Sequence, residues 1–275
     1  MLNALIVGSG AIGCLYASKL PQKKVNINIL CRSDYDYLLN NDITIIHPDR
    51  TTSQFKPAAI LAKNSSNNTI FDYIIVCTKV IDIQETISTI EPFYYEGSTI
   101  VLIQNGITIE KPYIEAFSNS ELISGLAFVC ATKTKPGVID HSDFGKLTLG
   151  NFPQGPSKKT QELANLFQEG GCDCNISQTI EKDRFIKLMW NIPFNPLSII
   201  SGGLNTQELL SNPSVNNRIR RLMEEVRQIA KAKKEGKAKV DKFKKDAKKK
   251  AKEMGKKLGK KFEKCMKKGG LEAWV

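Results

Sequence analysis

The stretch NALIVGSGAIG, residues 3–13, constrains the fold more than any other part of the chain. A short apolar run ends on Gly8, and the residues after it satisfy G-x-G-x-x-G at Gly8, Gly10 and Gly13. The pattern predicts a buried strand, a tight turn, and a helix that begins near Ala11 and is stopped by Pro21. Gly8 permits the turn, Gly10 lets the backbone approach a ligand closely, and Gly13 lets helix and strand pack. The free amides of this helix start, spread over Ser9, Gly10, Ala11, Ile12 and Gly13, suit a phosphate. Such a glycine spacing is weak alone. Between a strand and a helix of a βαβ unit it reads as a dinucleotide-binding turn.

The following segments extend that unit. VNINIL (25–30), FDYIIVCTK (71–79), STIVLIQNG (98–106) and LISGLAFVC (122–130) are further strand-like runs, with helical patterns near 82–91 and 108–117 between them. Strands that alternate with helices and are apolar on both faces predict a parallel sheet covered on each side. GVIDH and KLTLGN are expected to add antiparallel strands at one edge. From about residue 178 the periodicity is helical, over 180–200, 206–211 and 214–234. The expected fold is therefore α/β: a Rossmann-type dinucleotide-binding domain over 1–177, then an all-helical domain over 178–234. A cleft between them is expected close to KLMWNIPFN.

Net charge separates a third region. The chain carries +12, yet residues 231–275 hold 19 lysines against 6 acidic residues. The other 230 residues then hold 21 basic and 22 acidic groups, so a near-neutral body bears a lysine-rich tail over 235–275. Val240, Phe243, Ala247, Ala251, Met254, Leu258 and Phe262 step by three or four, as on an amphipathic helix. Such a stripe suits docking on the body, and the lysines suit nucleic acid or an anionic surface. No apolar run reaches the roughly 18 residues of a membrane helix. The start lacks a signal-peptide pattern, so a cytoplasmic location is expected. The seven cysteines are odd in number and scattered, which predicts reduced, packed thiols. With two histidines in the chain, a histidine-built metal site is not expected.

Two stretches carry the chemistry. At the end of the second strand stand Cys31, Arg32 and Ser33. An arginine there suits a ribose 2′-phosphate, which favours NADP; Asp34 and Asp36 lie past the strand end and keep NAD open. In KLMWNIPFNP, Lys187, Asn191 and Asn195 fall on one helical stripe amid apolar residues. The stripe is either a solvent face or the lining of a polar cleft. In a cleft, the lysine could protonate a carbonyl oxygen as hydride reaches the carbon, and the amides could bind a hydroxy acid. Pro193 lacks an amide hydrogen and is expected to kink or break the helix.

Together these residues resemble the ketopantoate reductase (2-dehydropantoate 2-reductase) family over roughly residues 1–234. The resemblance rests on GSGAIG, on CTKV with Lys79, on QNG with Asn105, on PGVIDH, and most specifically on K-x-x-x-N-x-x-x-N followed by proline. It implies that Lys79, Asn105 and Ala131 line the cofactor, with Asn105 also meeting substrate. It further implies Lys187 as general acid and Asn191, Asn195 and Asn205 as substrate-binding residues. The activity implied is NADPH-dependent reduction of 2-dehydropantoate, or a similar small 2-keto acid, in pantothenate and coenzyme A synthesis; a homodimer is compatible with it. The family's C-terminal serine and glutamate find no match after residue 234. The alternative expectation is thus a catalytically impaired dinucleotide-binding scaffold whose basic tail binds an anionic partner.

Overall fold

A computed structural model describes residues 1–63, 65, 68–153 and 155–234. The lysine-rich tail, with its apolar stripe and any anionic partner, lies outside the described residues. The chain divides into two compact units, Met1–Glu181 and Lys182 onward.

The first unit opens with β1 (Leu2–Val7), α1 (Ala11–Ser18), β2 (Val25–Leu30) and α2 (Tyr35–Asn40). Three short strands follow: β3 (Ile43–Ile46), β4 (Thr52–Phe55) and β5 (Ala59–Leu61). Next come β6 (Tyr73–Val76), α3 (Ile83–Ile90), β7 (Thr99–Leu102) and α4 (Glu110–Ala116). Two long strands, β8 (Leu122–Lys135) and β9 (Val138–Asn151), precede α5 (Lys158–Glu169) and β10 (Cys174–Ile176). Among the described residues the strands form one sheet in the order β4-β3-β9-β8-β7-β6-β1-β2-β5, with β10 paired to β9. Its centre is parallel, with Val7 opposite both Leu30 and Val76, and Val76 opposite Leu102. Every residue of β6 and β7 is buried, which is why those strands read as continuous apolar runs. One core cluster gathers Ile6, Leu15, Ile27 and Phe167; another gathers Leu5, Phe71, Ile74 and Tyr113.

Three expectations change here. GVIDH and KLTLGN are one strand, β9, antiparallel to β8 as expected but not at an edge. Its other side is taken by β3, which pairs with it in parallel through Ile45 and Ile139, so the sheet is mixed. The strands β3, β4 and β5, of three or four residues each, are too short to show a period. The helix α5 also escapes the sequence reading. Its apolar face is narrow, with Leu163, Ala164, Leu166 and Phe167 buried in an otherwise polar segment, and Ser157 caps it by accepting from the Thr160 amide.

The second unit contains α6 (Ile180–Ile200, whose first two residues belong to the first unit), α7 (Thr206–Ser211) and α8 (Pro213–Lys234). Phe194, Leu197, Leu209 and Ile219 form its core, with Leu204, Val215 and Met223 packed against them. Gly202 and Gly203, at φ +90° and +91°, turn the chain after α6. Of the kink or break expected at Pro193, the break does not occur: α6 runs through both Pro193 and Pro196. Each proline removes one helical hydrogen bond. Burial of Pro193, Phe194 and Leu197 offsets that loss. Ile186 and Trp190 are exposed, so the apolar residues beside the polar stripe enter a helical core only in part.

Candidate active site

In the first unit the parallel register brings the predicted ligand-facing residues to one edge. Because β1, β2, β6 and β7 end level with one another, the residues that follow them emerge together. These are the glycine loop after β1, Arg32 after β2, Lys79 after β6 and Asn105 after β7. In an open α/β sheet this carboxyl edge is where ligands bind. Ala131 lies farther along β8, half-buried.

The glycine loop has the geometry its sequence demands. Gly8 sits at φ +108°, and its amide donates to the Leu30 carbonyl at 2.9 Å. A Cβ on Gly13 would lie 2.0 Å from the Gly8 carbonyl oxygen, whereas one on Gly10 would meet nothing within 4 Å. Gly13 is therefore glycine for packing, and Gly10 leaves open space for another group. Ser9 is buried, and α1 begins at Ala11 without a side-chain cap, so no side chain takes up its first amides. The loop can hold a pyrophosphate.

Arg32, Lys79 and Asn105 are all exposed. Gln104, which sequence reasoning overlooked, fixes the two loops that carry Lys79 and Asn105. Its buried amide donates to the Thr78 carbonyl at 2.7 Å and to the Thr78 hydroxyl at 3.0 Å. Its own carbonyl accepts from Tyr113 at 3.4 Å. Asp34, which looked like a residue past the strand end, is 4% exposed. Lys133 donates to both of its oxygens, at 2.9 and 3.1 Å. No local sequence pattern links residues 99 positions apart, so this ion pair was not foreseeable. The six cysteines among the described residues are free thiols, and burial pushes Cys14 up to about 12.

A concavity of about 880 Å³, lined by Lys23, Lys24, Asp72, Lys158 and Glu162 among others, lies at the opposite, amino-terminal ends of β1 and β2. It is remote from the glycine loop.

In the second unit, Lys187, Asn191 and Asn195 lie one turn apart on α6, and all three are half-buried. An exposed surface stripe would leave the lysine largely in water. Here burial, and next the Arg184 cation three residues earlier, lower the Lys187 ammonium from its ordinary 10.5 to about 8. Arg184 itself is 3% exposed. A lysine held near 8 is protonated at neutral pH and gives up its proton more readily than an ordinary one. Asn205 is the N-cap of α7: its side-chain carbonyl accepts from the Glu208 amide at 3.0 Å, and Glu208 accepts from the Asn205 amide at 2.7 Å. The capping box uses the carbonyl and leaves the side-chain NH2 as the donor.

Residues 4–154 match the family model described as ketopantoate reductase PanE/ApbA. The chain belongs to this family. Residues 179–267 match the C-terminal model of the same ketopantoate reductases, a match that runs past residue 234 into the lysine-rich segment. Among named relatives, a 2-dehydropantoate 2-reductase of Nostoc sp. is 29% identical over 235 residues, covering 82% of this chain and 72% of that protein. One from Aquifex aeolicus is 25% identical over 254 residues, covering 90% and 76%. The crystal structure of 2-dehydropantoate 2-reductase from Methylococcus capsulatus superimposes with a TM-score of 0.77 at 37% identity, covering 84% of this chain and 74% of that one. A ketopantoate reductase fold of mixed sheet and C-terminal helices, in an oxidoreductase family, is thus in place. Among the described residues no helix is long and apolar enough to cross a membrane.

Proposed function

We propose that this ketopantoate reductase relative reduces 2-dehydropantoate, or a similar small 2-keto acid, to the 2-hydroxy acid with NADPH, within pantothenate and coenzyme A synthesis. The observation that carries the reading is Lys187, half-buried at the head of the asparagine stripe and lowered to about 8. The residues of the first unit fit a dinucleotide: a cradle open over Gly10, a helix start with free amides, and a basic side chain, Arg32, just past β2. Gly8, Ser9, Gly10, Ala11, Ile12 and Gly13 would hold the pyrophosphate, and Arg32 the 2′-phosphate.

When bound, the reduced nicotinamide supplies the hydride. Negative charge then builds on the keto oxygen, and Lys187 donates a proton to it, drawing its own replacement from solvent. Asn191, Asn195 and the free NH2 of Asn205 orient the hydroxy-acid groups, because an amide can match both donors and acceptors. Lys79 and Asn105, at the carboxyl edge of the first unit, are the proposed cofactor-side residues, with Asn105 also the proposed partner of the substrate. Gln104 keeps the loops of Lys79 and Asn105 in place.

The deciding measurement is steady-state NADPH oxidation across a panel of 2-keto acids, with 2-dehydropantoate expected to have the highest kcat/KM. Tight NADPH binding without turnover of any keto acid would overturn the catalytic reading. In parallel, Arg32→Ala is expected to weaken NADPH by roughly ten- to a hundredfold, the worth of a charged hydrogen bond, and to leave NADH nearly unchanged.

A further inference from the structure

The carboxylate of Asp34 occupies an unusual position for a phosphate-accepting site. It lies at the same sheet edge as the glycine loop, where the Ser9 hydroxyl approaches its Oδ2 at 3.5 Å. Ser33 donates to its Oδ1 at 3.2 Å. A dinucleotide whose pyrophosphate rests on that loop places its adenosine ribose over the end of β2. A free carboxylate there accepts from the ribose hydroxyls and repels a 2′-phosphate. In this chain the carboxylate is not free. Lys133, reaching from β8 and 31% exposed, grips both oxygens at 2.9 and 3.1 Å.

We propose that Lys133 sets the cofactor preference by neutralising Asp34, so that a 2′-phosphorylated dinucleotide can be accepted beside Arg32. The inference rests on the NADPH reading and deepens it. Arg32 alone would attract the phosphate, but a bare carboxylate two residues away would oppose it. The low local dielectric makes that opposition stronger than it would be in water. With Lys133 in place, Asp34 presents a satisfied pair rather than a charge. Withdrawing the lysine returns the carboxylate to its NAD-selecting role, and the phosphate then meets repulsion where it met none. Burial supplies the reason for the pair: an acid 4% exposed would be costly to leave unpartnered.

The test is a mutant cycle on the whole protein, read by calorimetric binding of NADPH and of NADH with no keto acid present. Lys133→Met is expected to lower the NADPH-to-NADH affinity ratio at least tenfold, with NADH bound as well as before or better. Lys133→Arg should keep the ratio. Asp34→Asn should leave NADPH equal or tighter. The double variant, Asp34→Asn with Lys133→Met, should recover most of the lost ratio, because the charge that Lys133 offsets has gone. A ratio unchanged in Lys133→Met would overturn the proposal. So would a double variant that stays as low as Lys133→Met, since Lys133 would then be touching the phosphate itself. Melting temperatures of all four variants report folding; if Lys133→Met does not fold, the double variant and Asp34→Asn decide the matter. The unmutated protein tests the underlying reading separately. Should it fail to prefer NADPH, that reading falls, while the change of ratio on mutation still judges Lys133.

Discussion

The sheet unit and the helical unit place their candidate ligand groups by different means. In the first, the groups in question are main-chain amides, glycines in forced conformations and side chains at strand ends, all placed by the parallel register of β1, β2, β6 and β7. In the second, they are three side chains on one helix, whose chemistry depends on how much water reaches them. Backbone geometry tolerates almost no substitution and announces itself in sequence. A side chain's environment tolerates substitution around it and announces little. The lowered Lys187 ammonium has no signature in KLMWNIPFN, whereas the bend at Gly8 is written in the glycine itself.

Substitution can break that contrast, and the largest effect is expected at Lys187. Lys187→Ala should cut turnover on the order of 10²–10⁴, the usual contribution of a general acid, with NADPH affinity intact. Normal turnover in this variant would reduce the stripe to a surface feature. The glycine loop offers the sharpest pair. Gly13→Ala forces a carbon to 2.0 Å from the Gly8 carbonyl and should cost several degrees of melting temperature or abolish folding. Gly10→Ala meets no protein atom, so its melting temperature should hardly move while dinucleotide binding falls. Equal stability losses at both positions would show that Gly10 serves the fold rather than a ligand.

The pH dependence separates the two units further. As the proposed proton donor, Lys187 loses its proton as pH rises through about 8, so kcat should fall there, well below the 10.5 of an ordinary lysine. Arg184→Leu removes one cause of the lowering and should move that limb upward. Stability follows the same group with a definite sign. Between about 8 and 10.5 the unfolded chain holds more protons than the folded one, so stability rises with pH across that window. Below it both states are protonated, and the full cost of burying the ammonium is present. Lys187→Met should flatten the slope in a series of melting curves; a slope that persists would place its origin in another group.

The smallest effects are expected from residues whose hydrogen bonds hold loops and helix ends in place. Gln104→Leu loses two donated hydrogen bonds to Thr78, and should destabilise by about 1–3 kcal/mol and raise the substrate KM more than it lowers kcat. Asn205→Ala removes the cap of α7 at about 1 kcal/mol. A KM effect beyond that stability loss would support a second role for its NH2 in binding the substrate.

From its sequence alone this chain determined the elements whose period or punctuation is strong. Those are β1 with its glycine turn and α1, the buried runs of β2, β6, β7 and the start of β8, and the helices α3, α4, α6, α7 and α8. It also determined which residues would stand at the carboxyl edge, because a parallel sheet leaves its ligand positions at strand ends. Tertiary structure alone decided the rest. The short strand β5 is defined by its pairing with β2, through Ile29 and Ile60, and β3 by its pairing with β9. The helix α6 continues through Pro193 because packed neighbours outweigh lost hydrogen bonds. Asp34 and Lys133 became a buried pair, and Lys187 acquired a proton affinity near 8, because charge in a protein answers to solvent and to neighbours distant in the chain. Periodicity along a sequence records which face is apolar; it cannot record which charges the folded chain brings within 3 Å of each other.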